Sequence, residues 1–182
     1  MEPRIQYART ADGVSIAFWT LGEGMPLVHM PFELSLSHIQ LEWQWPETRR
    51  WYERLAEQRM VVRYDGRGTG LSERDVTDYS VANCLLDLEA VADRIGLQRF
   101  ALFAPTTCGM VAVAYAAGHP ERVSHLILWW SSARASDVVA LTRVRALEAL
   151  LHVDWKVATE TWARITLGKS DDIRARVIAA FM

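Results

Sequence analysis

The chain has 182 residues, of which 51% are hydrophobic and 23% charged, and its net charge is −2 at pH 7. This composition excludes a disordered or collagen-like chain, and the charge balance argues against a basic nucleic-acid-binding surface. Two isolated cysteines, Cys84 and Cys108, make no disulfide framework. No apolar signal-peptide core follows Met1, and no apolar run reaches the ~18 residues of a spanning helix. The reading is a cytoplasmic protein with no membrane contact.

The chain opens with two alternating apolar stretches between Ile5 and Leu21, broken at Ala11-Asp12-Gly13, a strong hairpin signal. Met25 to Met30 reads as a short buried strand. A connection rich in Trp and Pro follows, then a helix over Thr48 to Gln58 with Trp51, Leu55 and Tyr52 as its inward face. Arg59 to Tyr64 is the next strand, ended sharply by Gly66, Gly68 and Gly70. Ser80 is an N-cap for a helix carrying Val81, Leu85, Leu88, Ala92 and Ile95, with Gly96 at the C-cap position. Phe100 to Ala104 (strand), Cys108 to Gly118 (helix) and Val123 to Trp130 (strand) complete an alternation that predicts a mainly parallel α/β sheet. From Asp137 to Met182 the pattern is helical only, with mixed charges on what reads as a solvated face. The domains expected are a core over 1–136 and a helical segment over 137–182. The chain stops inside an apolar helical pattern, which reads as truncation with the last strands missing. Eight tryptophans imply a large aromatic interior or a lined cavity, and core packing is the expectation for most of them.

Three motifs stand in order. Asp65-Gly66-Arg67-Gly68-Thr69-Gly70-Leu71-Ser72 follows a strand. Tyr115 to Val123 contains Gly118-His119-Pro120-Glu121-Arg122, and Pro26-Leu27-Val28-His29-Met30-Pro31 comes early in the chain. Together they resemble α/β-hydrolase-fold proteins over Ile5 to about Ser131. Respectively they are similar to the loop after the fourth strand, the passage after the nucleophile helix, and the strand that carries the oxyanion-hole His-Gly. The resemblance implies the N-terminal part of that fold, with an opening antiparallel hairpin and the start of a helical cap. The wording of Arg63 to Ser72 and Ser124 to Trp129 also resembles bacterial members fused to a nucleotide cyclase or a LuxR-type DNA-binding domain. This implies an output domain beyond these residues, since nothing here looks like either.

In this family the nucleophile sits on a G-x-S-x-G elbow. Counting back from His119-Pro120 places Thr106 at the nucleophile position, with Ala104 and Cys108 in the two glycine places. A register shifted by one makes Thr107 the nucleophile and puts Pro105 in a glycine place. Cys108 at a helix start is a possible thiolate, but its register makes it a packed, inert side chain. A hydroxyl nucleophile needs a base and an orienting acid. Downstream only His119, His125 and His152 occur, none on a loop after a late strand, so the triad is absent from these residues. The amides of Thr107 and Met30 are the expected oxyanion donors. His29, Met30, Pro105, Thr106 and Trp129 are the expected ligand-binding residues. The dispersed histidines and cysteines form no metal pattern, and the three glycines after Asp65 open no helix, so neither a metal nor another cofactor is expected. Two functions remain open. One is hydrolysis of a small ester, amide or lactone through a degenerate elbow. The other is non-catalytic sensing of a small apolar or ester-like molecule.

Overall fold

The computed structural model describes residues 2–32, 37–134, 136, 146, 149–150 and 153–167, the side chains of 162–167 excepted. The chain divides into two compact units, Met1–Ala133 and Arg134–Met182. In the first, six strands form one sheet: β1 (Gln6–Arg9), β2 (Ser15–Leu21), β3 (Met25–His29), β4 (Arg59–Tyr64), β5 (Phe100–Pro105) and β6 (Val123–Trp129). Their spatial order is β1-β2-β4-β3-β5-β6. β1 and β2 pair antiparallel, as do β2 and β4, whereas β4–β3, β3–β5 and β5–β6 are parallel.

Alternation along the strands sends side chains to two layers. On one face Ile16, Phe18, Val28, Val62, Tyr64, Phe100 and Leu102 pack beneath helices α3 (Val81–Arg94) and α4 (Gly109–Gly118). On the other, Ala17, Trp19 and Val61 meet α1 (Ile39–Gln44) and α2 (Pro46–Ala56), through Ile39, Trp43 and Tyr52. The Ser80 hydroxyl caps α3 by accepting the Asn83 amide. At its far end Gly96, at φ 71°, closes a Schellman turn in which Leu97 donates to Ala92 and Gly96 to Asp93.

Two expectations change here. Trp51 points outward, 49% exposed, and Tyr52 takes the inward place because its hydroxyl donates to the buried-side Glu42. Trp19 and Trp43 are core, but Trp51, Trp129, Trp130 and Trp155 are exposed, so core packing does not account for most tryptophans. In the second unit, α5 (Trp155–Leu167) starts at Asp154, whose carboxylate accepts the Val157 amide. The other helical expectations for 137–182, and His152, lie outside the described residues.

Candidate functional site

The glycine-rich motif after β4 is a staple. The Asp65 carboxylate accepts from the Ile39 and Leu71 amides and from the Ser37 hydroxyl, joining α1 to the loop. A Cβ on Gly70 would lie 2.1 Å from an Asp65 carboxylate oxygen, so this position admits no side chain. Arg67 is buried and pairs with buried Asp87 of α3 and with Asp12 of the hairpin turn. The Arg67 guanidinium holds the Asp12 carboxyl down at about 2. Ser72 donates to the Asp65 carbonyl and accepts the Ala17 amide. These residues hold the hairpin, α1, α3 and the loop after β4 together.

At the end of β5, Thr106 adopts φ 47°, then Thr106–Cys108 make one 3-10 turn into α4. Left-handed backbone at a β-branched residue is an outlier, held in place only by what surrounds it. The Ser131 hydroxyl, just after β6, donates to the Thr106 carbonyl at 2.5 Å and lies 3.1 Å from the Ala104 carbonyl. Gly109 makes room for it, since a Cβ there would meet the Ser131 hydroxyl at 2.4 Å. The Thr106 hydroxyl donates to the Phe32 carbonyl. Ala104 and Cys108, in the two glycine places, are both fully buried in the core.

The Met30 amide does not face this turn. It donates to the Phe103 carbonyl at 2.9 Å, extending the β3–β5 ladder by one residue. The expectation of an oxyanion donor at Met30 is therefore corrected, because its N–H is already donated to the Phe103 carbonyl. The Met30 side chain is also buried, in the α3/α4 layer. His29 points to the opposite face, where its ring lies 4.7 Å from Phe103 and 5.5 Å from Tyr52. Burial, then the nearby Arg63 charge, lowers its pKa to about 4. The ring is thus neutral, and its Nδ1 must carry the proton because it faces the Met30 carbonyl at 2.8 Å. His29 and Met30 are 6 and 0% exposed. Pro105 is buried and Thr107 half-buried. Trp129 is 52% exposed, stacked beside Phe103 with centroids 6.4 Å apart and edge-on to Phe32 at 5.8 Å.

The sequence reading missed a buried cluster below His29. Arg63, fully buried, donates to Glu42, to Ser37 and to the Tyr52 hydroxyl. An arginine directly after the apolar run Met60-Val61-Val62 is its signal in the sequence. His119 caps α4 and approaches Glu89 at 3.3 Å, and His125 lies exposed on β6. Among the described residues, no imidazole or carboxylate is hydrogen-bonded to the Thr106 hydroxyl.

The fold matches solved hydrolase structures. The chain superposes on the esterase RhEst1 from Rhodococcus sp. ECU1013 with a TM-score of 0.78 and 21% identity, covering 97% of this chain and 67% of that one. The fold is that of the α/β-hydrolases. The enol-lactonase from Burkholderia xenovorans LB400 is similar over 97% of this chain and 65% of its own, with a TM-score of 0.68 and 20% identity. In sequence, 69 residues are 38% identical to a protein named "Putative carbamate hydrolase RutD" from Caulobacter sp. (strain K31), covering 37% of this chain and 26% of that protein. The chain thus spans about a quarter of the length of the curated relatives it matches. No family model matches it. Among the described residues, no helix is long and apolar enough to cross a membrane.

Proposed function

We propose that this is an α/β-hydrolase-type domain whose Thr106 turn receives a small carboxyl derivative, an ester, amide or lactone, and that these 182 residues bind it without turning it over. The observation that carries the proposal is the left-handed Thr106 at the strand–helix turn, its hydroxyl committed to the Phe32 carbonyl. A strained position is retained only where its surroundings pay for it, and such positions cluster at ligand sites. Acyl transfer also needs a base for the hydroxyl and donors for the oxyanion. The Met30 amide is spent on Phe103, and Pro31 has no N–H to offer in its place. The esterase and lactonase neighbours supply the ligand class.

A regulatory reading rests on the same spent donor. In it, the bound small apolar molecule controls a cyclase or LuxR-type output domain on the same polypeptide, and Trp129 beside Phe32 forms part of the contact surface. The test for both is hydrolysis of short p-nitrophenyl esters together with thermal-shift titration by a short-chain ester and a lactone. Ligand-dependent stabilisation with turnover no faster than a denatured control supports binding. Turnover that vanishes in Thr106→Ala, or stoichiometric fluorophosphonate labelling at Thr106, makes the domain a working hydrolase.

A further inference from the structure

Among the described residues, two other than glycine have left-handed backbone, Thr106 at φ 47° and Trp130 at φ 52°. They stand just past the carboxyl ends of neighbouring parallel strands, Thr106 after β5 and Trp130 after β6. For bulky or β-branched side chains this conformation persists only where the surroundings over-determine it, and such outliers cluster at ligand sites. One residue joins the two. Ser131 follows Trp130 directly, and its hydroxyl donates to the Thr106 carbonyl at 2.5 Å. The strand order β3-β5-β6 places a second restraint on the other side, where the Thr106 hydroxyl donates to the carbonyl of Phe32, beyond the end of β3. Thr106 is held from both neighbouring strands, by its main chain through β6 and by its side chain through β3.

Gly109 carries an independent mark of this arrangement. Its φ of −56° and ψ of −35° are helical, so its backbone does not call for glycine, and alanine would favour the helix more. Space is what excludes a side chain. A Cβ there would lie 2.4 Å from the Ser131 hydroxyl, 2.7 Å from the Ser131 Cβ and 3.0 Å from the Ser132 carbonyl. The left-handed Trp130 turns the chain so that Ser131 fills that space and reaches the Thr106 carbonyl. All of these groups belong to the first compact unit.

We infer that Ser131 is the positioning residue of the Thr106 site: it holds Thr106 left-handed against its own preference, and the affinity of the turn for a small ester or lactone runs through that bond. The inference rests on the reading of the Thr106 turn as the place where such a ligand binds. Ser131 acts through Thr106 and not on the ligand, since its hydroxyl has one proton and donates it to the Thr106 carbonyl. Glycine adopts the left-handed region without being held. The loss of Ser131 therefore matters with threonine at position 106 and ceases to matter with glycine there.

The experiment compares Ser131→Ala, Gly109→Ala, Thr106→Gly and the double variant Ser131→Ala/Thr106→Gly in the whole 182-residue chain. Backbone chemical shifts of Thr106 report its φ, and thermal-shift titration with γ-butyrolactone reports affinity. The native chain is expected to show left-handed shifts at Thr106, which move towards right-handed or extended values in Ser131→Ala and in Gly109→Ala. Gly109→Ala is the sharper of the two, because the Ser131 hydroxyl is retained and only displaced. Lactone affinity is expected to fall about three- to tenfold in both, as for the loss of one hydrogen bond. In the Thr106→Gly chain, Ser131→Ala is expected to change affinity by less than about twofold. A Thr106 that stays left-handed in both variants overturns the inference, whether or not the lactone binds. So does an affinity loss of equal size with and without Thr106→Gly. A native chain that binds no lactone while Thr106 relaxes in Ser131→Ala overturns the ligand reading and supports the hold of Ser131 on the turn.

Discussion

The amide of Met30 is hydrogen-bonded to the carbonyl of Phe103 at 2.9 Å, where β3 runs alongside β5. This one bond removes the oxyanion donor that the His29-Met30 dipeptide suggests, and Pro31 has no N–H to replace it. Losing a single such donor typically costs 10²–10³ in rate. With no imidazole or carboxylate on the Thr106 hydroxyl among the described residues either, Thr106→Ser is expected to add no ester hydrolysis above a denatured control. Thr106→Ala is expected to leave folding nearly intact and to weaken only ligand binding. A Thr106→Ser chain that hydrolyses p-nitrophenyl acetate while Thr106→Ala does not would show that a base and a second donor exist.

Thr106 stands at φ 47°, and the strain of a β-branched residue there is of order 1–3 kcal/mol. Glycine tolerates that conformation, whereas valine keeps the strain and loses the bond to the Phe32 carbonyl. Thr106→Gly is therefore expected to be more stable than Thr106→Val by about 1–3 kcal/mol in urea unfolding. Equal midpoints would mean that the turn carries no strain.

Much of the fold is legible in local pattern, because two periodicities and a few caps carry it. Ser80 and Gly96 bracket α3, Asp12-Gly13 turns the first hairpin, and the β4 boundaries follow from where apolar residues stop. What depends on distant partners is not legible. α1 has six residues and no periodicity of its own; Asp65, 26 residues downstream of Ile39, anchors its first amide. Trp51 and Tyr52 are both large and aromatic, and only the hydroxyl's access to Glu42 and Arg63 decides which turns inward. At the site, counting from His119 leads to Thr106. The acceptor of its hydroxyl lies 74 residues upstream, and the partner of the Met30 amide follows from ladder register, which no local pattern encodes.

Arg67 and Asp87 form an ion pair with both side chains 2% exposed. Removing one member leaves the other charged and buried, which typically costs 3–5 kcal/mol. Arg67→Met is expected to fall in that range. The double variant Arg67→Met/Asp87→Leu is expected to recover a large part of the loss. Denaturant midpoints of the two single variants and the double variant check the coupling, and strict additivity would refute it.

Gly70 and Gly96 both have positive φ, at 50° and 71°, but only Gly70 is crowded, by the Asp65 carboxylate. Gly96→Ala pays the backbone penalty alone, about 1 kcal/mol. Gly70→Ala must also displace the carboxylate that holds the Ile39 and Leu71 amides, and is expected to cost at least about 3 kcal/mol. Comparing the two melting temperatures tests this. Equal losses would mean that the Asp65 staple yields without penalty.

His29 sets a pH dependence. Its folded pKa of about 4 lies below the ordinary 6.5, with burial the main cause and Arg63 the second. Above pH 6.5 both folded and unfolded chains hold it neutral, so it exerts no pH effect. As pH falls from 6.5 towards 4, the unfolded chain takes up the proton first, and folding loses up to about 3 kcal/mol by linkage. Asp65 and Asp87, which burial raises, act in the opposite direction, so the native profile mixes the contributions. His29→Phe isolates the histidine. It forfeits the bond to the Met30 carbonyl and is less stable at neutral pH, but it has no proton to gain. Urea unfolding at several pH values between about 7 and 4 is expected to show the native chain losing more stability than His29→Phe on acidification. Parallel profiles would mean that His29 is protonated as readily in the folded chain as in the unfolded one, which the closed cage of Tyr52, Phe103 and Arg63 argues against.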